Sequence, residues 1–450
     1  MLNSDRSKET AGRLGASIAD RAAVVGIIGL GYIGLPLAAA VTRSGFQTVG
    51  FDIEPAKVAA LNAGTSYIDA VRSEQLGEFV RAKRFRATVE FSELATCDVI
   101  IICVPTPLSR YREPDLSYVE TTAQTIARHL RPGQLVVLES TSYPGTTLEV
   151  VKPILEKSGL VGGSDFFLGF SPEREDPGNA DYHTASIPKI VAGDGVAAQH
   201  LIEAFYEAVV RVIVPVSSPG VAEAVKITEN IFRAVNIALV NELKIIYQAM
   251  GIDVWEVIDA AATKPFGYMP FYPGPGLGGH CIPIDPFYLA WKSRAYDLPT
   301  RFIELAGEIN LAMPRYVVGR LEQALDARLA VALGAASILI LGFAYKRNVA
   351  DVRESASFKL TKLLEQRGAK VAFHDPHVPS IPATREHPEY AGRRSVELTA
   401  AAIEAYDGIL LATDHDAVDY ALVARHGRVI IDTRNVFARL DIGGSHIIKA

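Results

Sequence analysis

The chain of 450 residues is poor in cysteine: Cys97, Cys103 and Cys281 are too few and too scattered for a disulfide framework. We therefore expect a protein of a reducing compartment, the cytoplasm. The first 20 residues have mixed charge and no apolar core, unlike a signal peptide, so a disordered extension is expected over 1–20. The longest apolar runs, such as 98–104, have the length of strands and are far too short to span a membrane.

A strong excess of charge of either sign is absent too. A formal net charge of −6 and an isoelectric point near 6.0 argue against a general binder of nucleic acids or membrane surfaces. No solenoid repeat and no low-complexity segment is visible, and no cluster of residues predicts a metal site. At 450 residues, 49% hydrophobic and 21% charged, the chain is globular in composition and too long for one core, so two or three domains are expected.

The first positive signal is a strand, a glycine turn and a helix. Residues 22–30 are apolar and β-branched, as in a buried parallel strand, and run into the GxGxxG turn 29–34. A helix is predicted over 35–44, then a strand over 47–52 that ends in Asp52. A lone GxGxxG is a weak signal, whereas the whole unit with its terminal acid is a strong one. The glycines admit a pyrophosphate, and Asp52 can bind ribose hydroxyls and repel a 2′-phosphate, which predicts NAD rather than NADP.

The pattern of an open α/β sheet continues beyond this turn. Further strands are predicted at 98–104, 134–139, 166–171, 189–193 and 210–216, with a helix at 117–130. Polar turns follow three of the strands, at 105–107, 140–147 and 171–179. Ligands bind at this edge of such sheets, so a site is favoured over a merely solvated surface for the charged turn 171–179. Residues 21–217 are therefore expected to form one NAD-binding Rossmann domain.

Beyond residue 217 the apolar spacing becomes helical. An apolar stripe from Val221 to Ile246 predicts one helix over 220–250, of about 30 residues and roughly 45 Å. Such a helix can join two domains and supply a dimer face. Lys226 and Asn230 lie one turn apart on it and share a face; a solvated lysine is the alternative reading of Lys226.

A second α/β unit begins near residue 336 and has no GxGxxG. Its strands are predicted at 336–345, 370–374, 408–413 and 428–432, with a helix at 355–367. Because it lacks this turn, we expect it to bind something other than a dinucleotide. Its loops 346–355 and 432–435 carry groups that suit phosphates and ribose, although surface charge is the alternative. The predicted fold class is α/β, with two Rossmann-like doubly wound domains (21–217 and 331–450) joined by a long central helix within a helical region 218–330.

The central region also holds the strongest candidate for chemistry, the loop 266–288. Cys281 follows a run of glycines that ends at Gly279, and Asp285 lies four residues further on. Glycines let the backbone approach a ligand closely, and a thiol beyond such a loop is placed like a nucleophile. Considered alone, Cys281 is better interpreted as a small buried hydrophobe.

Taken together, these motifs resemble the UDP-glucose/GDP-mannose dehydrogenase family over residues 22–435. The resemblance rests on the segments 29–34 with Asp52, 104–107, 139–146, 171–173, 223–230, 276–281 with Asp285, 342–346 and 353–355. It implies an enzyme that oxidises the C6 alcohol of a nucleotide sugar to a carboxylate with two NAD in succession. It also implies that the long helix pairs across a two-fold axis, giving a homodimer or a higher homo-oligomer.

The same resemblance implies a covalent mechanism. The Cys281 thiolate attacks the aldehyde formed in the first oxidation, and the thiohemiacetal is oxidised to a thioester that water releases. Lys226 would stabilise oxyanions and help to hold the thiolate, with Asn230 as a second donor. Asp285 would act with a water in proton transfer. Glu173 and Thr141 match positions that bear on the hydrolytic and proton-transfer steps.

Binding residues are implied in the same way. Cofactor contacts are expected from Gly29, Gly31, Tyr32, Ile33, Gly34, Asp52, Lys57, Val104, Thr106, Thr141 and Arg353. Substrate contacts are expected from Glu173, Arg174, Lys226, Asn230, Tyr272, Pro273, Gly274, Gly278, Tyr345, Lys346 and Arg434. The C-terminal domain would clamp the nucleotide diphosphate.

The sugar is read from two segments, 266–276 and 171–179, which look like the branch that acts on UDP-N-acetylglucosamine in bacterial surface-polysaccharide pathways. UDP-glucose enzymes typically carry a lysine just before the aspartate, where this chain has Ile284. The expected substrate is thus a UDP-N-acetylhexosamine, first UDP-N-acetylglucosamine. Its manno and galacto epimers, which differ at one stereocentre, and UDP-glucose are the alternatives.

Two rival classes of protein predict different residues in this chain. A nucleotide-sensing module without chemistry predicts loss of Cys281, Lys226 or Asp285, and all three are present. A 2-epimerase or a simple two-electron dehydrogenase needs no covalent thiol beside a glycine loop. Cys281 therefore discriminates among them, and two NADH per sugar are expected.

Overall fold

The structure, a computed structural model, describes residues 2–68, 70–109, 111–174, 186–279, 282–384 and 386–450, with side chains from residue 7 onward. The chain divides into two compact units. The first comprises Met1–Glu229 with Phe287–Leu298, and the second comprises Asn230–Pro286 with Pro299–Ala450. Each unit is built on a largely or wholly parallel sheet with helices, so the predicted fold class is confirmed.

The first unit contains an eight-stranded sheet with the order β3-β2-β1-β4-β5-β6-β7-β8. Its strands are β1 (Val24–Ile28), β2 (Gln47–Phe51), β3 (Phe85–Thr88), β4 (Val99–Ile102), β5 (Leu135–Leu138), β6 (Phe167–Phe170), β7 (Lys189–Gly193) and β8 (Ile213–Pro215). Neighbouring strands are parallel except β6 and β7, which are antiparallel. The strand order reverses between β1 and β4, which makes their carboxyl ends the place where such sheets bind ligands. Strand β3 was not among the predicted strands.

Helices cover both faces of this sheet. They are α1 (Leu2–Ala19), α2 (Gly34–Arg43), α3 (Pro55–Asn62), α4 (Ser73–Arg81), α5 (Ser117–His129), α6 (Lys152–Glu156) and α7 (Val196–Glu207). Two buried apolar clusters, one on each face, draw on alternating residues of the strands, such as Val25 and Ile27 on one side and Ile28 on the other. Strands buried on both faces explain why these segments are continuously apolar.

The prediction of a disordered extension over residues 1–20 is wrong for the described part of that segment. Residues Leu2–Ala19 form helix α1, in which Thr10, Leu14 and Ile18 are buried at a spacing of four residues. Leu14 and Ile18 share a buried cluster with Leu201 of helix α7. An amphipathic helix needs only one such stripe, which the mixed charges of its other faces concealed in the sequence.

Two helices extend over both units: α8 (Pro219–Ala249) and α10 (Asp285–Ser293). Helix α8 confirms the predicted long central helix. Of its predicted apolar stripe, Phe232, Leu239 and Ile246 are exposed by 47%, 49% and 42%. Among the described residues, none of the helices combines the length and apolar composition that crossing a bilayer requires.

The second unit contains a wholly parallel five-stranded sheet with the order β10-β9-β11-β12-β13. Its strands are β9 (Ser337–Leu341), β10 (Lys370–His374), β11 (Gly408–Leu411), β12 (Ile430–Asp432) and β13 (Ile447–Lys449). Its helices are α9 (Val254–Ala262), α11 (Arg301–Leu329), α12 (Ala356–Gln366), α13 (Ala400–Glu404), α14 (Tyr420–His426) and α15 (Val436–Arg439). Strand β13 was not predicted. The switch in strand order falls between β9 and β11, as in the first unit.

Candidate active site

The turn between β1 and α2 holds three glycines with different reasons to be glycine. Gly29 has φ +90°, and a Cβ there would lie 2.5 Å from the Cys103 carbonyl oxygen. A Cβ on Gly34 would lie 1.8 Å from the Gly29 carbonyl oxygen. A Cβ on Gly31 would meet no described atom within 4 Å. Folding therefore requires Gly29 and Gly34, whereas Gly31 leaves an open space at the start of a helix, as a pyrophosphate needs.

Asp52 lies directly after β2 and is fixed beside this turn. It is 7% exposed, and its carboxylate accepts hydrogen bonds from the N–H groups of Leu30 and Glu54, both at 3.0 Å. The Tyr67 hydroxyl donates to the Leu30 carbonyl at 2.7 Å. Burial and the carboxylates of Asp52 and Glu54 raise the pKa of Tyr67, which keeps it a donor. The predicted contact Lys57 is paired with Glu54 at 2.6 Å.

The neighbouring strand ends complete this edge. The predicted contact Thr106 is 5% exposed, and its carbonyl accepts from the Tyr288 hydroxyl at 2.7 Å. Thr141 is partly buried in the turn after β5. That turn is held by Glu223, whose carboxylate accepts the N–H groups of Gly145 (2.6 Å) and Thr147 (2.8 Å). The open Gly31 and the fixed Asp52 together fit the pyrophosphate and ribose of a dinucleotide.

A buried charge cluster lies beyond the ends of β5 and β6. Glu173 is 6% exposed, and the Lys226 ammonium, 8% exposed, donates to its backbone carbonyl. The structure thus brings together two residues predicted to be catalytic, and the alternative of a solvated lysine at 226 is wrong. Lys189 approaches the Glu173 carboxylate at 3.5 Å and that of Glu139 at 2.8 Å. Burial raises the pKa of Glu139, although the nearby Lys189 acts in the opposite direction.

Arg174 contacts this cluster through its main-chain N–H group. Its N–H donates to the Glu173 carboxylate at 2.7 Å. Its guanidinium is engaged by the Glu229 carboxylate at 2.5 Å and by the Pro188 carbonyl at 2.7 Å. The side chain predicted to bind substrate is therefore committed to an ion pair in this structure. Most of the predicted charged turn, 175–179, lies outside the described residues.

In the second unit, Asn230 and Asp285 form a buried pair. The Asn230 amide donates to the Asp285 carboxylate at 2.6 Å, and the two residues are 4% and 2% exposed. Asp285 is the first residue of α10, where free N–H groups and the helix dipole favour a carboxylate. These two predicted catalytic residues are therefore adjacent. Cys281, the predicted nucleophile, lies outside the described residues.

The glycine loop before Cys281 is anchored within the second unit. The Gly274 N–H donates to the Asn241 amide oxygen at 3.1 Å, and Asn241 in turn donates to Asn310 at 2.9 Å. A Cβ on Gly274 would lie 2.8 Å from an Arg434 guanidinium nitrogen. Two predicted substrate residues, Gly274 and Arg434, are thus in contact. The Asn241–Asn310 pair was missed, because buried asparagines on helices have no sequence signature of their own.

The end of the same loop packs on residues that follow β9. A Cβ on Gly278 would lie 2.9 Å from the Tyr345 Cβ, and the Gly279 N–H donates to the Arg353 carbonyl at 3.3 Å. The Arg353 guanidinium is paired with Asp351 at 2.6 Å. Gly278, Tyr345 and Arg353 therefore lie together, as expected if they share a site.

The predicted substrate residues that remain are Tyr272, Pro273 and Lys346. Tyr272 stacks on Trp255 with ring centroids 5.4 Å apart and donates to Asp259 at 2.7 Å. Pro273 is buried, and Lys346 is partly buried. The Tyr272 hydroxyl is therefore engaged by the protein, while the residue as a whole remains 44% exposed.

A glycine turn with room for a pyrophosphate, a fixed acid beyond the next strand and a second Rossmann-like unit define the class of two-domain NAD-dependent dehydrogenases. Comparison with known families narrows this class. The UDP-glucose/GDP-mannose dehydrogenase family matches with its NAD binding domain over 23–210, its central domain over 220–312 and its UDP binding domain over 339–439. The chain belongs to this family.

Similar proteins cover nearly the whole chain. It is 37% identical to a UDP-N-acetyl-D-glucosamine 6-dehydrogenase of Pseudomonas aeruginosa, over 87% of this chain and 90% of that protein. It is 34% identical to an NDP-N-acetyl-D-galactosaminuronic acid dehydrogenase of Ralstonia nicotianae, over 92% and 96%. The solved structure of a UDP-D-ManNAc dehydrogenase from Pyrococcus horikoshii superposes with a TM-score of 0.84 at 33% identity, over 95% and 98%.

Several expectations are thereby confirmed. The protein is an oxidoreductase, an NAD-dependent nucleotide-sugar dehydrogenase, with NAD as cofactor and a nucleotide sugar as substrate. The similar proteins act on different N-acetylated sugars. The individual sugar and the mechanism therefore belong to the proposal below.

Proposed function

We propose that this protein carries out the four-electron oxidation of the C6 alcohol of a UDP-N-acetylhexosamine, first UDP-N-acetyl-D-glucosamine, to the uronic acid in surface-polysaccharide biosynthesis. The observation that carries the chemistry is the retention of two buried polar pairs, Lys226 with Glu173 and Asn230 with Asp285. Burial of such groups costs stability unless they are paired, and a homologue without chemistry has no need of them. The 37% identity to the Pseudomonas aeruginosa enzyme supports the sugar.

The proposed division of labour assigns each step to side chains. Bound NAD supplies the two-electron acceptor, and Gly31 and Asp52 hold its pyrophosphate and adenosine ribose. Cys281 attacks the aldehyde carbon to form a thiohemiacetal, which would become a thioester by giving up a hydride to a second bound NAD and a proton to a base. Water then cleaves the thioester to free the thiol and the acid. Lys226, held through the Glu173 carbonyl, stabilises the developing oxyanion. Asn230 orients Asp285 for proton transfer.

The manno and galacto epimers remain candidate substrates because similar proteins with these names share almost the same identity. The Ralstonia protein is named for N-acetyl-D-galactosaminuronic acid at 34%, and the Pyrococcus structure for UDP-D-ManNAc at 33%. These substrates differ from UDP-N-acetylglucosamine at one stereocentre, so a single hydrogen bond in the pocket suffices to choose among them. UDP-glucose is the remaining alternative.

Self-association belongs to the same proposal. Phe232, Leu239 and Ile246 are exposed on α8 at a spacing of seven residues. A regular exposed apolar stripe of this kind favours pairing with a second helix, here that of a second copy of the chain. A homodimer or a higher homo-oligomer is therefore proposed, and light scattering of the purified protein would detect it.

The test of the reaction is the amount of NADH formed at 340 nm per mole of sugar nucleotide consumed. The panel is UDP-N-acetylglucosamine, its manno and galacto epimers, UDP-glucose and GDP-mannose. We expect two NADH per sugar, with UDP-N-acetylglucosamine as the best substrate. One NADH per sugar would mean that the reaction stops at the aldehyde, and the role of Cys281 would have to be withdrawn.

Cys281→Ser tests the nucleophile itself. We expect net turnover to fall by about three orders of magnitude, because a hydroxyl is a far weaker nucleophile than a thiolate, while the Kd of NAD stays unchanged. Cys97→Ser is the matched control, since Cys97 is buried beneath the sheet of the first unit and contacts Gly26. Full activity of Cys281→Ser would remove the covalent mechanism.

A further inference from the structure

One strand of the first sheet runs against its neighbours and brings a lysine to the ligand-binding edge. Strand β7 is antiparallel to β6, with Gly169 opposite Gly193 and Phe170 opposite Ala192. Continuing this register places Lys189, the first residue of β7, opposite Glu173. A strand parallel to β6 would have presented its last residue at this edge instead. The reversal therefore delivers the start of β7 to the edge where the proposed site lies.

The lysine is buried and shared by two carboxylates. Lys189 is 4% exposed, and its ammonium lies 2.8 Å from Glu139 and 3.5 Å from Glu173. Glu139 is fully buried and also accepts a hydrogen bond from the Tyr206 hydroxyl. Buried charges of this kind are stable only when they are paired and hydrogen-bonded. One ammonium here balances two carboxylates, so each competes for it.

Glu173 connects this pair to the proposed catalytic residues. Its carboxylate faces Lys189, and its backbone carbonyl accepts from the Lys226 ammonium. The N–H of Arg174 donates to the other carboxylate oxygen of Glu173. Glu173 therefore contacts Lys189 through its side chain and Lys226 through its backbone, so a change at Lys189 can also alter the position of Lys226.

We propose that Lys189, anchored on Glu139, is a positioning residue that keeps the Glu173 carboxylate ionised and oriented towards the reaction. This rests on the proposed function, which assigns Glu173 to the hydrolytic and proton-transfer steps. A cation within 4 Å favours the charged form of a carboxylate and fixes its rotamer. Removing that cation favours the protonated form, and removing the competing Glu139 strengthens the remaining pair.

Other described titratable groups lie around Glu173 and the Glu139–Lys189 pair. They are Cys103 after β4, Glu139 after β5, Arg174 with its partner Glu229, Lys189 on β7, Tyr206 on α7 and Lys226 on α8. Burial raises the pKa of the Cys103 thiol and of the Tyr206 hydroxyl, so both stay neutral across the accessible pH range. The charge that differs between the variants below is therefore that of Lys189 or Glu139.

The experiment measures kcat against pH, from about pH 5 to 9, with the best sugar of the panel. In Lys189→Met, we expect the acidic limb to move up by about one pH unit and kcat at pH 7 to fall about tenfold, while both KM values change less than threefold. In Glu139→Gln, the acidic limb should move down, since Lys189 then pairs with Glu173 alone. Lys189→Arg keeps the cation and should restore most of the activity.

Two further variants separate positioning from folding. Glu139→Gln/Lys189→Met removes both charges of the closer pair, so that neither is left buried alone. This variant should fold and, because Glu173 still loses its lysine, should still show the upward shift. Lys152→Met breaks the pair of Lys152 with Asp194 (2.7 Å) beyond the other end of β7 and should leave the pH profile unchanged.

The possible results are distinct. Opposite shifts in Lys189→Met and Glu139→Gln, with Lys152→Met unshifted, would support the assignment. An active wild type whose variants all keep its pH profile would overturn the inference alone. A wild type that oxidises no member of the panel would remove the proposed function, and the inference would fall with it.

Discussion

The turns that follow β1 and β9 both begin with a glycine of positive φ, but they differ in the space that they leave for a ligand. Gly29 follows β1 with φ +90°, and Gly342 follows β9 with φ +83°. A Cβ on either would collide with the carbonyl at the end of the neighbouring strand, 2.5 Å from Cys103 and 2.2 Å from Thr413. In both units the first glycine is therefore required by the turn that follows the strand, and by itself it carries no information about a dinucleotide.

The turns diverge two residues later. Gly31 in the first unit meets no described atom around its Cβ position, whereas Ala344 in the second is fully buried. The acid at the end of the adjacent strand differs as well. Asp52 accepts two backbone N–H groups. Asp375 accepts hydrogen bonds from the N–H groups of Phe343 and Ala344, at 2.6 and 2.8 Å, and from further donors.

The two acids therefore do different work. Besides the turn, Asp375 accepts the N–H groups of His377 and Val378, and His415 Nε2 lies 3.0 Å from it. The Asn348 N–H donates to His415 Nδ1, so Nε2 carries the proton that faces the carboxylate. Both acids lock a turn, but the carboxylate of Asp375 is saturated by the protein. A dinucleotide site is therefore indicated by the open space at the second glycine, Gly31, together with an acid, Asp52, whose carboxylate oxygens can accept further hydrogen bonds.

The largest expected difference between Asp375 and Asp52 is in their contribution to the free energy of unfolding. Asp375→Asn should lower the free energy of unfolding by about 3–5 kcal/mol, because an amide cannot accept all of these donors in a buried network. Asp52→Asn should cost only about 1 kcal/mol, the loss of one hydrogen bond. Denaturant titration of both variants measures the two values. Asp416→Asn, at an exposed carboxylate beside His415, is the control, with less than about 1 kcal/mol. Equal losses of unfolding free energy in Asp52→Asn and Asp375→Asn would contradict the proposed difference between the two acids.

The next effect is the pH dependence of that stability. Burial alone would raise the pKa of Asp375, but the His415 hydrogen bond and the N–H groups of Ala344 and Phe343 lower it to about 2. An unfolded aspartate has a pKa of about 3.9, so the carboxylate stabilises the fold above about pH 4 and loses this contribution as pH falls towards 2.

The contribution amounts to about 2–3 kcal/mol. The gap in unfolding free energy between wild type and Asp375→Asn should therefore narrow as the pH is lowered from 4 to 2. Denaturant titrations at half-unit intervals would follow it. A difference in unfolding free energy that stays constant with pH would show that the ionised carboxylate of Asp375 does not stabilise the turn.

The smallest effect is on cofactor affinity. Asp52→Asn should raise the Kd of NAD about tenfold, which corresponds to about 1.4 kcal/mol, through weaker bonds to the ribose hydroxyls. Because a carboxylate repels a 2′-phosphate, the same variant should also narrow the preference for NAD over NADP. Fluorescence titration with both cofactors tests this. An unchanged preference would mean that Asp52 serves the turn alone, as Asp375 does.

Local chemistry in the sequence predicted the first turn and the long helix. The glycines of 29–34, the acid at 52 and the apolar period of α8 are properties of neighbouring residues, and the structure has all three. Asn230, Asp285, Gly274 and Arg434 were assigned to the site only through the family resemblance. Their pairing as Asn230–Asp285 and Gly274–Arg434 was not predicted, because the members are 55 and 160 positions apart in the chain.

What could not be predicted depended on tertiary direction. Nothing in residues 189–193 indicates that β7 runs against β6, so Lys189 read as an ordinary strand residue beside Pro188. Helix α1 was missed because its buried stripe, Thr10, Leu14 and Ile18, is narrow and polar in part. Both failures have the same cause: burial is decided by a partner element that the local sequence does not contain.

The most direct test of the division between the two units is calorimetric titration of NAD and of UDP into wild type and Gly31→Leu. The Cβ of residue 31 meets no described atom, so the leucine should fill the space for the pyrophosphate without strain. We expect one NAD per chain in wild type, an NAD Kd at least about 100-fold higher in Gly31→Leu, and the same Kd for UDP in both. Two NAD per chain, or unchanged NAD affinity in Gly31→Leu, would contradict this division.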